Sequence, residues 1–156
     1  MKVRVVEGDL LDQPVDTIVN AWNRNILPWW LLLPQGVSGA IKKRAGYGPF
    51  LVLGRMGPIP LGGAVVTSGG RLPYSKIIHV AGINLLWRAS RASIQDSVRN
   101  AVRLGEQLGV RTVAFPIIGA GSGGFNAEKA EQVMMESFSA IDSEIEAVLV
   151  RYRRAA

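Results

Sequence analysis

Short apolar runs alternate with stretches of helical spacing along most of the chain. Residues 2–6 and the run Thr17-Ile18-Val19 are rich in Val and Ile, and each stops at a polar or glycine signal, as strands do. Gly63 to Thr67 and Lys76 to Ala81 read as two further strands, separated by glycines and a proline. Thr112 to Phe115 and Ile145 to Val150 complete the set. Val37 to Ala45 predicts a short helix with a basic last turn and Gly46 just beyond its end. From Ser93, apolar groups recur at Ile94, Val98, Ala101, Val102, Gly105 and Leu108, which predicts a helix over 93–108, with Ser93 and Asp96 spaced as a capping box. Asn126 is a good N-cap for a last helix carrying Ala130, Val133, Met134, Phe138 and Ile141. Residues 20–36 are polar at first, tryptophan-rich in the middle and broken by prolines, which predicts a loop.

Strands that alternate with helices imply βαβ crossovers, and so an α/β protein with a three-layer α/β/α sandwich. The length of 156 residues suits a single domain spanning 1–156. With 48% hydrophobic and 19% charged residues, the chain can bury a proper core. The longest apolar stretch, residues 26–34, contains two prolines and falls far short of the roughly 20 residues that cross a bilayer. No membrane partner is therefore expected. The N-terminal alternation of charge and Val lacks the apolar core of a signal peptide, so a cytoplasmic location is expected. The sequence has no Cys and a single His, which removes disulfides, thiolate chemistry and structural zinc, and neither metal nor cofactor is expected. The formal charge of +6 favours phosphate-bearing or polyanionic partners.

The sharpest chemical signal is Phe115 to Asn126, a strand that runs through four glycines into a helix start. Glycines let successive backbone N–H groups converge on one point, and a helix N-terminus adds positive potential, so the segment suits phosphate oxygens. The other reading is a turn whose glycines only allow close packing. Residues 119–124 also fit G-x-G-x-x-G, but too little chain follows for a Rossmann half, and no Gly-Lys-Ser or Gly-Lys-Thr is present for a P-loop. A second segment runs from Gly8 to Asn23. Asn20 and Asn23, at the carboxyl end of a strand, would reach sugar hydroxyls, and Asp9 could accept from the exocyclic amine of a base. Ordinary turn chemistry would also account for Asp9 and Asp12. The third segment, Pro34 to Ile41, is another glycine-containing loop entering a helix, and two such loops could clamp a diphosphate between them.

Together these segments resemble the macro domain family from about Gly8 to Tyr152. Gly8-Asp9-Leu10 is followed by Val15-Asp16-Thr17-Ile18-Val19-Asn20-Ala21-Trp22-Asn23, then by Gly36-Val37-Ser38-Gly39-Ala40-Ile41, Ile77-Ile78-His79-Val80-Ala81-Gly82 and Pro116 to Phe125, in the family's order. The resemblance implies a mixed central sheet and recognition of ADP-ribose, or of an ADP-ribosylated substrate, in a cleft at the top of it. By similarity, Asp9 would bond the adenine amine beside the Leu10 N–H, and Tyr152 would stack on the adenine ring. Asn23 would hold the distal ribose. Gly36 and Val37 would line one wall of the diphosphate site, with Gly119, Ala120, Gly121, Ser122, Gly123 and Gly124 on the other and the Phe125 ring next to them.

Many hydrolytic members of the family carry Asp where this chain has Ser38, whose hydroxyl is scarcely ionised at neutral pH and makes a poor general base. Hydrolysis of ADP-ribosyl or O-acetyl-ADP-ribose linkages would then rest on the ligand's own diphosphate, with Asn23 as the catalytic side chain that orients the ribose. The alternative function is a nucleic-acid or poly-ADP-ribose binding module without catalysis. His79, inside a strand, is expected to be structural. Trp29 and Trp30 would fill core, wall the distal ribose, or join two copies of the chain. Met134 and Met135 are expected to pack. Arg151, Arg153 and Arg154 are expected to form a solvated tail.

Overall fold

The computed structural model describes residues 1–26, 30, 36–83, 88–120 and 124–153. Among them are six strands, β1 (Val3–Gly8), β2 (Thr17–Trp22), β3 (Ala64–Ser68), β4 (Lys76–Ala81), β5 (Thr112–Pro116) and β6 (Glu146–Tyr152). Four α-helices accompany them, α1 (Gly36–Ala45), α2 (Gly48–Arg55), α3 (Arg91–Gln107) and α4 (Ala127–Ser139). The strands form one sheet in the order β1-β6-β5-β2-β4-β3. All neighbours are parallel except β3 and β4, which are antiparallel. The sheet is therefore mixed, as expected.

Successive residues of a strand face opposite sides, and both sides of this sheet are covered. Val19, Ile78, Val80 and Phe115 pack with Val98 and Val102 of α3 and Val133 and Phe138 of α4. Ile18, Trp22, Ile77 and Val148 pack with Ile41 of α1 and Phe50 and Leu53 of α2. These two cores make the three layers. Phe115 meets Phe138 edge to face at 5.0 Å, an arrangement that adds to simple burial.

Strand edges shift by a few residues from the sequence expectation, and β2 runs three residues further than Val19. Two differences have clear causes. Helix α3 begins at Arg91, and its capping box pairs Ser90 with Ser93 rather than Ser93 with Asp96. Ser90 adopts the extended conformation a cap needs, while Asp96 sits inside the helix and bonds Arg99. Helix α2 carries no sequence signal beyond Pro49 in its first turn, where a missing N–H costs nothing. Burial of Pro49, Phe50 and Leu53 holds it in place. Gly46 ends α1 as expected, at φ +82° with its N–H donated to Lys42 O.

Candidate functional site

Parallel strands end at the same edge, so β1, β6, β5 and β2 deliver their carboxyl-terminal loops side by side. Asp9 follows β1 directly, and Gly8 is in register with Tyr152 of β6, which brings Asp9 and Tyr152 together. Arg153 N–H donates to Gly8 O at 3.0 Å, so strand pairing continues past Tyr152, whose side chain is 71% exposed. Asp9 caps a 3-10 turn over Leu10–Asp12, with Oδ1 accepting from Leu11 N–H at 2.9 Å. The turn chemistry holds for Asp9, and among the described residues no donor is bonded to its second carboxylate oxygen. Leu10 is buried at this turn. Asp16, at the opposite edge, accepts from the N–H groups of Arg111 and Thr112 and so ties the start of β2 to that of β5.

The glycine loop leaves β5, the next strand along. Gly119 has φ +86°, and a Cβ there would stand 2.7 Å from Ala89 Cβ, so close packing already requires glycine at this position. Phe125 N–H donates to Gly119 O at 3.0 Å, which closes the loop and leaves the Phe125 side chain, half-buried against the α3–α4 core, to face its neighbours. Ala120 and Gly124 stand on either side of Gly121, Ser122 and Gly123, which lie outside the described residues. Asn126 caps α4 as expected, accepting from Lys129 N–H at 3.1 Å.

Beyond β5 comes β2 with Asn23. Its Oδ1 accepts from the Asn25 N–H, which fixes the side chain. Asn25, not singled out from the sequence, has φ +59°, a conformation that Asn tolerates better than most residues. Its amide donates to Leu53 O and Gly57 O at the end of α2, so it pins the whole segment. Gly36 and Val37 open α1, and Val37 packs on the core under that helix. Ser38, in the same first turn, donates to Asn20 Oδ1 at 2.6 Å and lies 3.1 Å from Ala21 O. The start of α1 is thereby fastened to the end of β2, beside the β5 loop.

Asn20 is not in the cleft. Because β2 continues to Trp22, Asn20 sits inside the strand, fully buried beneath α1, and its amide meets His79 Nδ1 at 3.0 Å. His79 Nε2 in turn meets Thr67 Oγ1 at 2.8 Å, and Thr67 donates to Ser68 O. With the amide donating to Nδ1, His79 carries its proton on Nε2, and a polar row runs Ser38, Asn20, His79, Thr67 across β2, β4 and β3. Its members all find partners. Phe50 covers the imidazole edge to face at 5.7 Å, and burial lowers the His79 pKa to about 3. The structural expectation for His79 thus holds. Lys42, one turn after Ser38, lies 4.6 Å from the Trp22 ring centroid, and burial lowers its pKa.

The neutral His79 has a consequence for stability. The unfolded chain takes up a proton there below about pH 6.5, and the native chain refuses it until about pH 3, so stability falls as pH drops through that window. The expected slope from this one group approaches about 1.4 kcal/mol per pH unit, or about 3 kcal/mol between neutral pH and about pH 4. Urea titrations across that range check it. His79→Asn should be less stable at neutral pH but should lose this share of the slope, and equal slopes in the two proteins would show that His79 is not held neutral.

Several remaining expectations are settled by exposure and partners. Trp30 is 66% exposed and does not fill core, while Trp29 lies outside the described residues. Met134 is fully buried and Met135 packs beside it. Arg151 and Arg153 are not a loose tail, since they pair with Glu131 at 2.8 Å and Glu7 at 3.0 Å; Arg154 lies outside the described residues.

The family model described as "Macro domain" matches residues 19–134, most of the chain. The chain belongs to the macro domain family. Among its relatives, an O-acetyl-ADP-ribose deacetylase of Klebsiella pneumoniae is 34% identical over 146 residues, covering 87% of this chain and 78% of that protein. A macro domain-containing protein of Caldanaerobacter subterraneus is 30% identical over 148 residues, covering 88% of this chain and 79% of that one. A mutant of the Oceanobacillus iheyensis macrodomain, solved with ADPR, has a TM-score of 0.80 at 26% identity and covers 94% of this chain and 83% of its own. The macro-domain architecture thus accounts for the mixed sheet and for the common edge at which the Asp9, Asn23, Gly36 and Gly119 loops converge.

Proposed function

We propose that this macro domain binds ADP-ribose, free or attached to a substrate, along the carboxyl ends of β1, β6, β5 and β2. Adenine lies against Tyr152 with its amine on Asp9, the diphosphate between the first turn of α1 and the 119–125 loop, and the distal ribose at Asn23. The observation that carries this reading is the strand order. Neighbouring strands are about 4.8 Å apart, so β1 and β2 bound a span of roughly 14 Å in which base, diphosphate and second sugar follow one another as they do in the ligand. The deacetylase relative and the neighbour solved with ADPR support the same ligand class.

Ser38 argues for binding ahead of base catalysis. Its hydroxyl faces an amide oxygen and a backbone carbonyl, neither of which takes its proton. Hydrolysis of an ADP-ribosyl or O-acetyl linkage would instead use the ligand's diphosphate to activate water while Asn23 holds the ribose. Titration calorimetry with ADP-ribose should give saturable heat with one site per chain. Absence of heat at about millimolar ligand, the range of a binding energy near 4 kcal/mol, would reject the reading.

A further inference from the structure

The chain's charges are distributed unevenly. From Thr17 to Gln95 it has nine Lys and Arg and no Asp or Glu. Folding gathers most of this stretch on one side, as β2, β4 and β3 at one edge of the sheet with α1 and α2 over it. Lys43, Arg44, Arg55 and Arg71 are exposed there, with Asp12 reaching Arg44 at 3.8 Å from outside the stretch. Seven of the eight exposed large hydrophobic residues among those described also belong to it.

Helix α2 organises these groups. It buries Pro49, Phe50 and Leu53, and so turns Leu51 and Val52 outward, each about half exposed. Tyr47, Leu51 and Arg55 follow one another at four-residue spacing, as do Val52 and Met56, which makes two adjacent rows on the outer face. Asn25 is anchored to the C-terminal end of α2, so Ile26, 47% exposed, stands near that end. The sequence continues from there through two tryptophans and four leucines without a charge, and Trp30 is exposed.

We propose that this face docks peripherally on an anionic lipid surface. Aliphatic and aromatic side chains on a segment with nine cations and no carboxylate of its own, where Asp12 at Arg44 and Asp96 at Gly62 are carboxylates reaching in from outside, match a bilayer interface: the apolar groups enter the acyl boundary and the cations meet the headgroups. Arginine and lysine stems extend the apolar area while their charges stay in water. Leu51, Val52 and Met56 offer nothing to base edges or phosphates, which sets this face apart from a nucleic-acid groove. A two-fold pairing of the face with a second copy would bring like charges together. The sequence-based expectation of no membrane partner rested on the absence of a spanning segment, and none of the described helices is long and apolar enough to cross. Peripheral docking needs no such helix.

Vesicle flotation tests the proposal, using phosphatidylcholine vesicles with and without about 30 mol % phosphatidylserine. The protein should float with the anionic vesicles only, and less so as salt rises. The double variant Leu51→Asp, Val52→Asp should lose about tenfold or more in vesicle affinity while keeping its circular dichroism. Arg55→Glu should lose about fivefold or more, and Arg103→Glu, the same charge change at an exposed site on α3, should bind nearly as well as the parent. The proposal fails if anionic vesicles do not retain the protein, or if Arg103→Glu is as damaging as Arg55→Glu. It fails equally if short duplex DNA binds more tightly than vesicles and Leu51→Asp, Val52→Asp leaves that binding intact, or if the parent is a dimer that this double variant dissociates.

Discussion

Asp9→Asn is expected to weaken ADP-ribose binding by about 10- to 100-fold while the protein stays folded. The two carboxylate oxygens of Asp9 have separate duties. Oδ1 accepts from Leu11 N–H at 2.9 Å and caps the turn that follows β1, and Oδ2 is proposed to accept from the adenine amine. Asparagine can reproduce only the first. If its oxygen caps the turn, its NH2 group points at the amine, donor against donor; if the group flips, the Leu11 N–H loses its acceptor. Loss of a charged acceptor together with a donor clash sets the size of the effect. Asp9→Ala should weaken binding comparably and also destabilise the turn by about 1 kcal/mol, so the asparagine variant is the cleaner probe. Calorimetry measures the affinity, and a urea midpoint near that of the parent shows that the fold is intact. An unchanged dissociation constant for Asp9→Asn would mean that the base lies elsewhere.

How far the site could be read in advance differs from residue to residue, for physical reasons. Asp9 and Asn23 follow strands directly and Gly36 opens α1, so their local chemistry marks them as turn and helix-start residues. The pattern misplaces Asn20 because a polar residue after the apolar pair Ile18 and Val19 normally signals the end of a strand. Here β2 continues, since His79 of β4 and Ser38 of α1 supply the partners that make a buried amide affordable. Those partners are 59 and 18 residues away, and no local pattern reports them. Helix α2 escaped notice for the same kind of reason, its stability coming from Phe50 and Leu53 in a core assembled from distant strands. Within the glycine loop, the sequence left open whether Gly119 serves a ligand or packing. Contact with Ala89 explains the glycine by packing, and the phosphate reading then rests on the amides around Gly121 to Gly124.

The buried polar row yields the other large effect. Ser38→Asp places a carboxylate where the hydroxyl now donates to Asn20 Oδ1. A carboxylate cannot donate, so the Asn20 amide must turn its NH2 toward it and its oxygen toward His79 Nδ1. The imidazole then has to carry its proton on Nδ1, and its bare Nε2 must accept from the Thr67 hydroxyl, which gives up Ser68 O. The three side-chain hydrogen bonds of the row survive with their directions reversed, while Ala21 O and Ser68 O each lose a donor. The first turn of α1 tolerates the new charge because it lies near the helix N-terminus. Since His79 is the sole histidine, its two ring 15N resonances report the switch directly: protonated Nε2 in the parent, protonated Nδ1 in the variant. The same substitution adds a base beside the proposed ribose site, and cleavage of O-acetyl-ADP-ribose should rise by about a hundredfold over the parent. Retention of the Nε2 proton in Ser38→Asp would mean that the carboxylate turns away from Asn20 and that Ser38 does not govern the row. A switched tautomer without faster cleavage would place the reacting bond out of reach of position 38, and the protein would then be a binder of ADP-ribose whichever side chain stands there.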